Sequence, residues 1–153
     1  MTDELDLQIR ELLDHQMLGV LATSAGGHPY TTLVGFALGD HLREILFATH
    51  RATRKYANLQ NDQRVTLLID NRTNRAEDFR RAAALTAFGI AAEVPAEQWP
   101  EARRIFLARH PMLEQFVASP GCALCRVEVQ RYSLVRRFQD VVELIFDETY
   151  SAP

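Results

Sequence analysis

Phe47-Ala48-Thr49-His50-Arg51-Ala52-Thr53-Arg54-Lys55 runs off the end of an apolar strand and into the opening turn of a helix. A hydroxyl at the N-cap position followed directly by two cations is electrostatically the wrong way round. The free N–H groups and dipole of a helix N-terminus favour anions and disfavour cations, by up to about 1 kcal/mol per exposed charge. Elsewhere the chain respects this preference, with Asp3 and Glu4 opening the first helix and Glu97 a later one. Thr53 as N-cap with Arg54 and Lys55 behind it makes sense where a bound anion collects both the N–H groups and the side-chain charges, and a phosphate-bearing ligand fits best. The plain alternative is two solvated charges on a surface turn, which cost little.

Outward from that junction the chain is strand-rich with helices inserted. Upstream, Leu5, Ile9, Leu12 and Leu13 make one apolar stripe and predict a helix over Thr2 to Gln16. Met17 to Ser24 and His28 to Leu38 read as a hairpin turned by Gly26-Gly27, and Glu44 to Thr49 is the strand entering the junction. The helix opened by Thr53 turns Tyr56 and Leu59 inward and ends at Asn61-Asp62. Downstream, Arg64 to Asp70 reads as a strand buried on both faces and Asn71 to Asn74 as a polar loop. Ala76 to Ala83 reads as a short helix, and Ala84 to Val94 as a strand broken or bulged near Gly89. From Pro95 a helix with Trp99, Ala102, Ile105 and Phe106 on one face reaches His110-Pro111, and Met112 to Ala118 forms another. Leu124 to Val135 and Val141 to Phe146 read as the last strands, and Glu148 to Pro153 as a loose tail. Six or seven strands around a few helices predict a mainly β chain with helices, an antiparallel closed or split barrel rather than a βαβ sheet.

A chain of 153 residues, 47% hydrophobic and 24% charged, suits a single domain over 1–153. The net charge of −3 gives no basic footprint for nucleic acid, despite local clusters such as Arg126, Arg131, Arg136 and Arg137. No apolar run approaches the roughly 20 residues of a membrane helix and the first residues lack signal-peptide character, so the expected location is cytoplasmic, with no membrane partner. Cys122 and Cys125 make a lone C-x-x-C, short of the four ligands of a structural zinc site. At the start of a strand an offset of three sends the two thiols to opposite faces, which predicts buried or half-buried free cysteines and no metal. Phosphate-loop, dinucleotide, nucleophile-elbow and zinc-protease signatures are all absent. The five histidines lie far apart and read as surface or polar-edge residues.

Phe47-Ala48-Thr49, then Thr53-Arg54-Lys55, Asn58-Leu59 and Arg64 to Ile69 resemble the flavin-binding core of the pyridoxamine 5'-phosphate oxidase-like family, the FMN-binding split β-barrels. The likeness covers roughly His15 to Gly89, and T-x-x-x-[ST]-R-K between strand and helix is its most specific element. It implies a homodimer holding FMN in clefts at the subunit interface. Thr49, Arg54 and Lys55 would hold the phosphate end, with Thr53 capping the helix and Ala48 lending backbone contact. Tyr30, Thr31, Thr32, Leu33 and Val34 correspond to the strand whose backbone lines the flavin pyrimidine and ribityl chain.

Departures from the family pattern are equally specific. True pyridoxamine phosphate oxidases carry an Arg and a Lys where this chain has Thr32 and Ala37, and a flavin-contacting Gln where it has Ala84. Their C-terminal R-x-H signature is missing, and Arg136-Arg137-Phe138-Gln139 does not replace it. The resemblance therefore implies an FMN-dependent oxidoreductase acting on a small molecule other than vitamin B6. Arg72, Asn74 and Arg137 are polar candidates for the open side of the ring. A deazaflavin in place of FMN, or a non-catalytic flavin- or haem-binding protein on the same barrel, stands as the alternative.

Overall fold

Alternating apolar residues in this chain find their partners across a set of pairings that are all antiparallel among the described residues. A computed structural model describes residues 3–150. Its strands are β1 (Leu18–Ala25), β2 (His28–Leu38), β3 (Glu44–His50), β4 (Arg64–Asp70), β5 (Ala83–Glu93), β6 (Cys122–Arg136) and β7 (Asp140–Ile145). They run in the order β3-β2-β1-β4-β5-β6-β7, and an additional β3–β6 pairing closes β1 to β6 into a six-strand antiparallel barrel. The 15-residue β6 makes the closure: Cys122 to Glu128 pair with β3, and Arg131 to Arg136 pair with β7. The expected antiparallel barrel with helices is the architecture found.

The hairpin β1–β2 turns on Gly26 and Gly27 at φ 56° and 82°, the left-handed pair that a two-residue turn between Ala25 and His28 requires. The break expected near Gly89 is a register shift between Phe88 and Gly89, where an added Cβ would strike the Glu128 carbonyl.

Inside the barrel sit Leu21, Phe36, Phe47, Val65, Leu67, Ile69, Leu85 and Val127. Two helices stopper its ends. α1 (Glu4–His15) contributes Ile9, Leu12 and Leu13 at one end, and α2 (Arg54–Asn61) contributes Leu59, with Tyr56 packed alongside, at the other. A short α3 (Asp78–Arg81) interrupts the β4–β5 connection. Then α4 (Trp99–Arg109) and α5 (Glu114–Ala118), each preceded by a 3₁₀ turn, cover the outer face of β3 and β6. Ala102, Phe106 and Val117 there pack on Ala37, Leu46 and Leu124 in a second apolar layer.

Some expectations need correction. β4 is not buried on both faces: Val65, Leu67 and Ile69 point inward, while Thr66, Leu68 and Asp70 are only half-buried on an outer face that no helix covers. His110 is not at a surface; it is 2% exposed, with Nε2 2.6 Å from the Phe36 carbonyl and its ring 4.9 Å from Phe106. The helix expected over Ala76 to Ala83 shrinks to the four residues of α3, and Glu97 lies in the 3₁₀ turn before α4. Cys122 and Cys125 are free and buried, as expected, with Cys125 facing the barrel interior. Thr2 and the tail residues 151–153 lie outside the described residues.

Candidate functional site

The strand-to-helix junction folds as a compact hydrogen-bonded corner. Thr53 adopts extended φ/ψ, and its hydroxyl accepts from the Tyr56 N–H at 3.4 Å, the ordinary N-cap bond. The same hydroxyl donates to the His50 carbonyl at 2.8 Å and lies 3.0 Å from the Thr49 hydroxyl. His50 Nδ1 accepts from the Ala52 N–H at 3.1 Å, and the Arg51 N–H donates to the Gly121 carbonyl at 2.8 Å. Arg51 Nε reaches Glu93 at 2.9 Å, and the Tyr56 hydroxyl donates to the same carboxylate at 3.3 Å. Four chain segments thus fix the turn from which Arg54 and Lys55 project.

What the corner leaves over is a set of donors. Thr53 satisfies the Tyr56 N–H, and the Ala57 N–H bonds the Thr53 carbonyl; the Arg54 and Lys55 N–H groups have no protein acceptor among the described residues. Neither side chain is in an ion pair there, whereas Arg43, Arg51, Arg64, Arg72, Arg104, Arg126, Arg131 and Arg136 each have a carboxylate. Lys55 is half-buried without a counterion, and burial pushes its ammonium below the ordinary lysine range. A partly desolvated cation without a counterion, beside free helix N–H groups, is electrostatically suited to an anion.

The strand beside the corner is split open. β2 pairs with β3 only over Phe36 to Leu38, while its pairing with β1 runs from His28 to Gly35. Tyr30 to Gly35 therefore present a strand edge with no strand partner on the side away from β1, next to the start of α2. Arg54 bridges this gap, with its guanidinium carbon 5.8 Å from the Tyr30 ring centroid. Opposite Tyr30 on β1 lies Thr23, whose hydroxyl accepts from Asn58 Nδ2 at 2.9 Å in a buried bond that locks α2 to the barrel.

The candidate residues fall in different places in the structure. Arg54, Lys55, Tyr30 and the β2 edge converge on one opening. Thr31 and Leu33 lie on the outward face of β2, and Leu33 is 65% exposed. Thr32 is half-buried on the inward face and Val34 is buried in the core, so Val34 offers only backbone. Thr49 is buried with its hydroxyl tied to Thr53 and His50; its side chain shapes the corner. Ala48 is half-buried and pairs with Leu124 of β6. Arg72, Asn74 and Arg137 are gathered elsewhere, around the β4–β5 and β6–β7 turns. Sequence reasoning missed His50, Arg51, Glu93 and Gly121, whose contacts are long-range; Gly121 is needed because any Cβ there would collide with the His50 ring.

Comparison with known proteins agrees with this architecture. The profile of the family described as pyridoxamine 5'-phosphate oxidase matches residues 5–136. Among solved structures, a haem-binding protein from Mycobacterium smegmatis superposes with a TM-score of 0.84 at 17% identity, over 95% of this chain and 60% of that one. A protein related to general stress protein 26, from Clostridium acetobutylicum and of the pyridoxinephosphate oxidase family, superposes at 0.75 with 14% identity, over 98% of this chain and 100% of its own. An FAD-binding protein from Mesorhizobium loti superposes at 0.68 with 16% identity, over 84% and 91%. At these identities the likeness is one of fold. The chain spans about three fifths of the first of them. None of the curated proteins matches it in sequence.

Proposed function

Since the chain belongs to the pyridoxamine 5'-phosphate oxidase family, with residues 5–136 matched, we propose that it is an FMN-binding flavoprotein that acts as a homodimer on a small molecule other than pyridoxamine phosphate. The observation that carries this reading is the pair Arg54–Lys55, unpaired at a capped helix start beside an open strand edge. In it the phosphate takes the Arg54 and Lys55 side chains and their N–H groups, Tyr30 and Arg54 wall the ribityl end, and the free backbone edge of β2 meets the polar rim of the ring. FMN, once bound, supplies two-electron chemistry; the chain supplies position and electrostatics.

The dimer is part of the proposal because one barrel face lacks cover. Leu18 and Leu33 are exposed beside half-buried Val20, Leu68 and Phe88, on the outward side of β1, β2, β4 and β5. A second subunit on that face would finish a cleft begun at the β2 edge. The alternative on the same geometry is flavin held without turnover.

The experiment is the visible spectrum of the freshly purified protein, with identification of any small molecule released on denaturation. Released FMN is the expected result, and Arg54→Ala with Lys55→Ala is expected to leave a folded, colourless protein. Equal flavin content in variant and parent would overturn the phosphate placement. Donor-dependent bleaching with NADH or NADPH separates an oxidoreductase from a flavin carrier. For haem, His110 and His50 offer little: His110 is sealed in the core, and the His50 ring is engaged in its own turn and against Gly121.

A further inference from the structure

At the barrel end opposite Arg54 and Lys55, where β4 and β6 finish and β5 begins, an open cavity of about 560 Å³ lies between α1 and the β4–β5 connection. Four arginines line it, Arg80, Arg81, Arg136 and Arg137, against the single carboxylate of Glu11. A neighbouring recess of about 410 Å³ shares Arg81 with it and adds Arg75 together with the carboxylates of Glu77 and Asp78, so the excess of positive charge belongs to the first cavity. β4 runs from one barrel end to the other, six steps of roughly 3.3 Å or about 20 Å of strand, so within one chain this cleft is separate from the Arg54–Lys55 corner.

Arg136 is already engaged, by Gln8 Oε1 at 2.7 Å and Asp140 at 2.8 Å. Arg80, Arg81 and Arg137 have no carboxylate partner among the described residues. Three free guanidiniums on one rim repel one another unless an anion joins them, and a phosphate matches their planar donor forks.

Adjacent in sequence to Arg80 and Arg137, though outside the residues that line the cavity, is an aromatic pair. Phe79 and Phe138 stand edge to face, ring centroids 5.5 Å apart, each 65% exposed. Phe138 reaches this position through a costly turn: Arg137 at φ 51° and Phe138 at φ 70° both sit in the left-handed region, where bulky side chains are outliers. One strained hairpin tip thereby sets Arg137 on the cavity wall and the Phe138 ring against Phe79. Gln16 and Asn71 add amides to the wall, and Asn71 spends only its Oδ1, on the Ala83 N–H at 2.7 Å. Guanidiniums, an exposed aromatic pair and amides together match a flat heterocycle that carries phosphate.

We propose that this cleft binds a nucleoside phosphate, with the phosphates on Arg80, Arg81 and Arg137 and the base against Phe79 and Phe138. The proposal does not depend on the flavin reading. The test is calorimetric titration of the full chain with ADP and, separately, inorganic phosphate. ADP is expected to bind at least about tenfold more tightly than phosphate. Arg137→Gly is expected to weaken ADP about tenfold or more while leaving the melting temperature unchanged or raised, because glycine adopts that φ freely. Phe79→Ala is expected to bring ADP towards the affinity of phosphate, and Arg54→Ala with Lys55→Ala to leave ADP binding as it was. Failure of ADP to bind would overturn the proposal, as would ADP binding that ignores Arg137→Gly, equal affinity for phosphate and ADP, or loss of ADP binding with Arg54 and Lys55.

Discussion

Lys55 is the residue where the electrostatics of the corner can be measured. Burial without a counterion lowers its pKa in the free protein, and a phosphate beside it would favour the charged form again. Binding in this reading takes up a proton at alkaline pH. FMN affinity is therefore expected to be full at neutral pH and to fall as pH rises through the lowered value of the free protein towards the higher value of the complex. The phosphate itself finishes titrating near about pH 6 and adds no slope there. Dissociation constants measured from pH 7 upward check this. Lys55→Arg should flatten the profile, since a guanidinium stays charged throughout; a flat profile in the parent would remove Lys55 from the phosphate contacts. Cys125 behaves oppositely. Burial first, then the nearby Glu93 and Cys122, push its thiol up to about 12, so the native protein should react slowly with thiol reagents there and rapidly only once unfolded.

At the scale of elements, two substitutions separate folding from binding. Thr53→Ala removes the α2 cap and the bond to the His50 carbonyl, and should cost about 1 kcal/mol in denaturant unfolding together with weaker flavin retention. Gly89→Ala drives a Cβ into the Glu128 carbonyl across the β5–β6 bulge and should cost about 1–3 kcal/mol, with flavin affinity unchanged in the folded fraction. These two sites also mark what was legible beforehand. The Gly26-Gly27 hairpin and the Thr53 cap announce themselves in local sequence, because each depends on a conformational or capping preference of the residues present; at Gly89 the glycine is visible locally, but its cause, the close approach of the Glu128 carbonyl, is not. The splay between β2 and β3, the β3–β6 closure and the burial of His110 do not. They are set by partners distant in the chain, as when Phe36 supplies the carbonyl for His110. The Arg54–Lys55 half of the candidate site was readable for the same local reason. The Arg51–Glu93–Gly121 buttress and the arginine and phenylalanine cluster at the far end were not, since no spacing links Phe79 to Phe138.

For the whole molecule the deciding question is how the uncovered barrel face is used. Leu33→Glu places a charge at the centre of that face without touching the core, since Leu33 is 65% exposed. If the homodimer forms there, light scattering should report a monomer and the flavin should be lost with the dimer. A variant that remains dimeric and yellow would move the interface elsewhere. Among the described residues no helix is long and apolar enough to cross a membrane.

The closure made by β6 also sets an order of events. Hairpins β1–β2 and β4–β5 join neighbouring segments and are available early, but Glu44 must wait for Glu128 and Arg51 for Gly121 before the ring of strands shuts. On a ribosome this leaves Arg54 and Lys55 dangling until β6 has emerged, whatever the concentration of flavin. If the proposed flavin site is the corner tied to Gly121 and β6, a nascent chain stalled before Cys122 is expected to carry the whole T-x-x-x-T-R-K motif and retain no flavin, which co-sedimentation of FMN with stalled ribosomes would check.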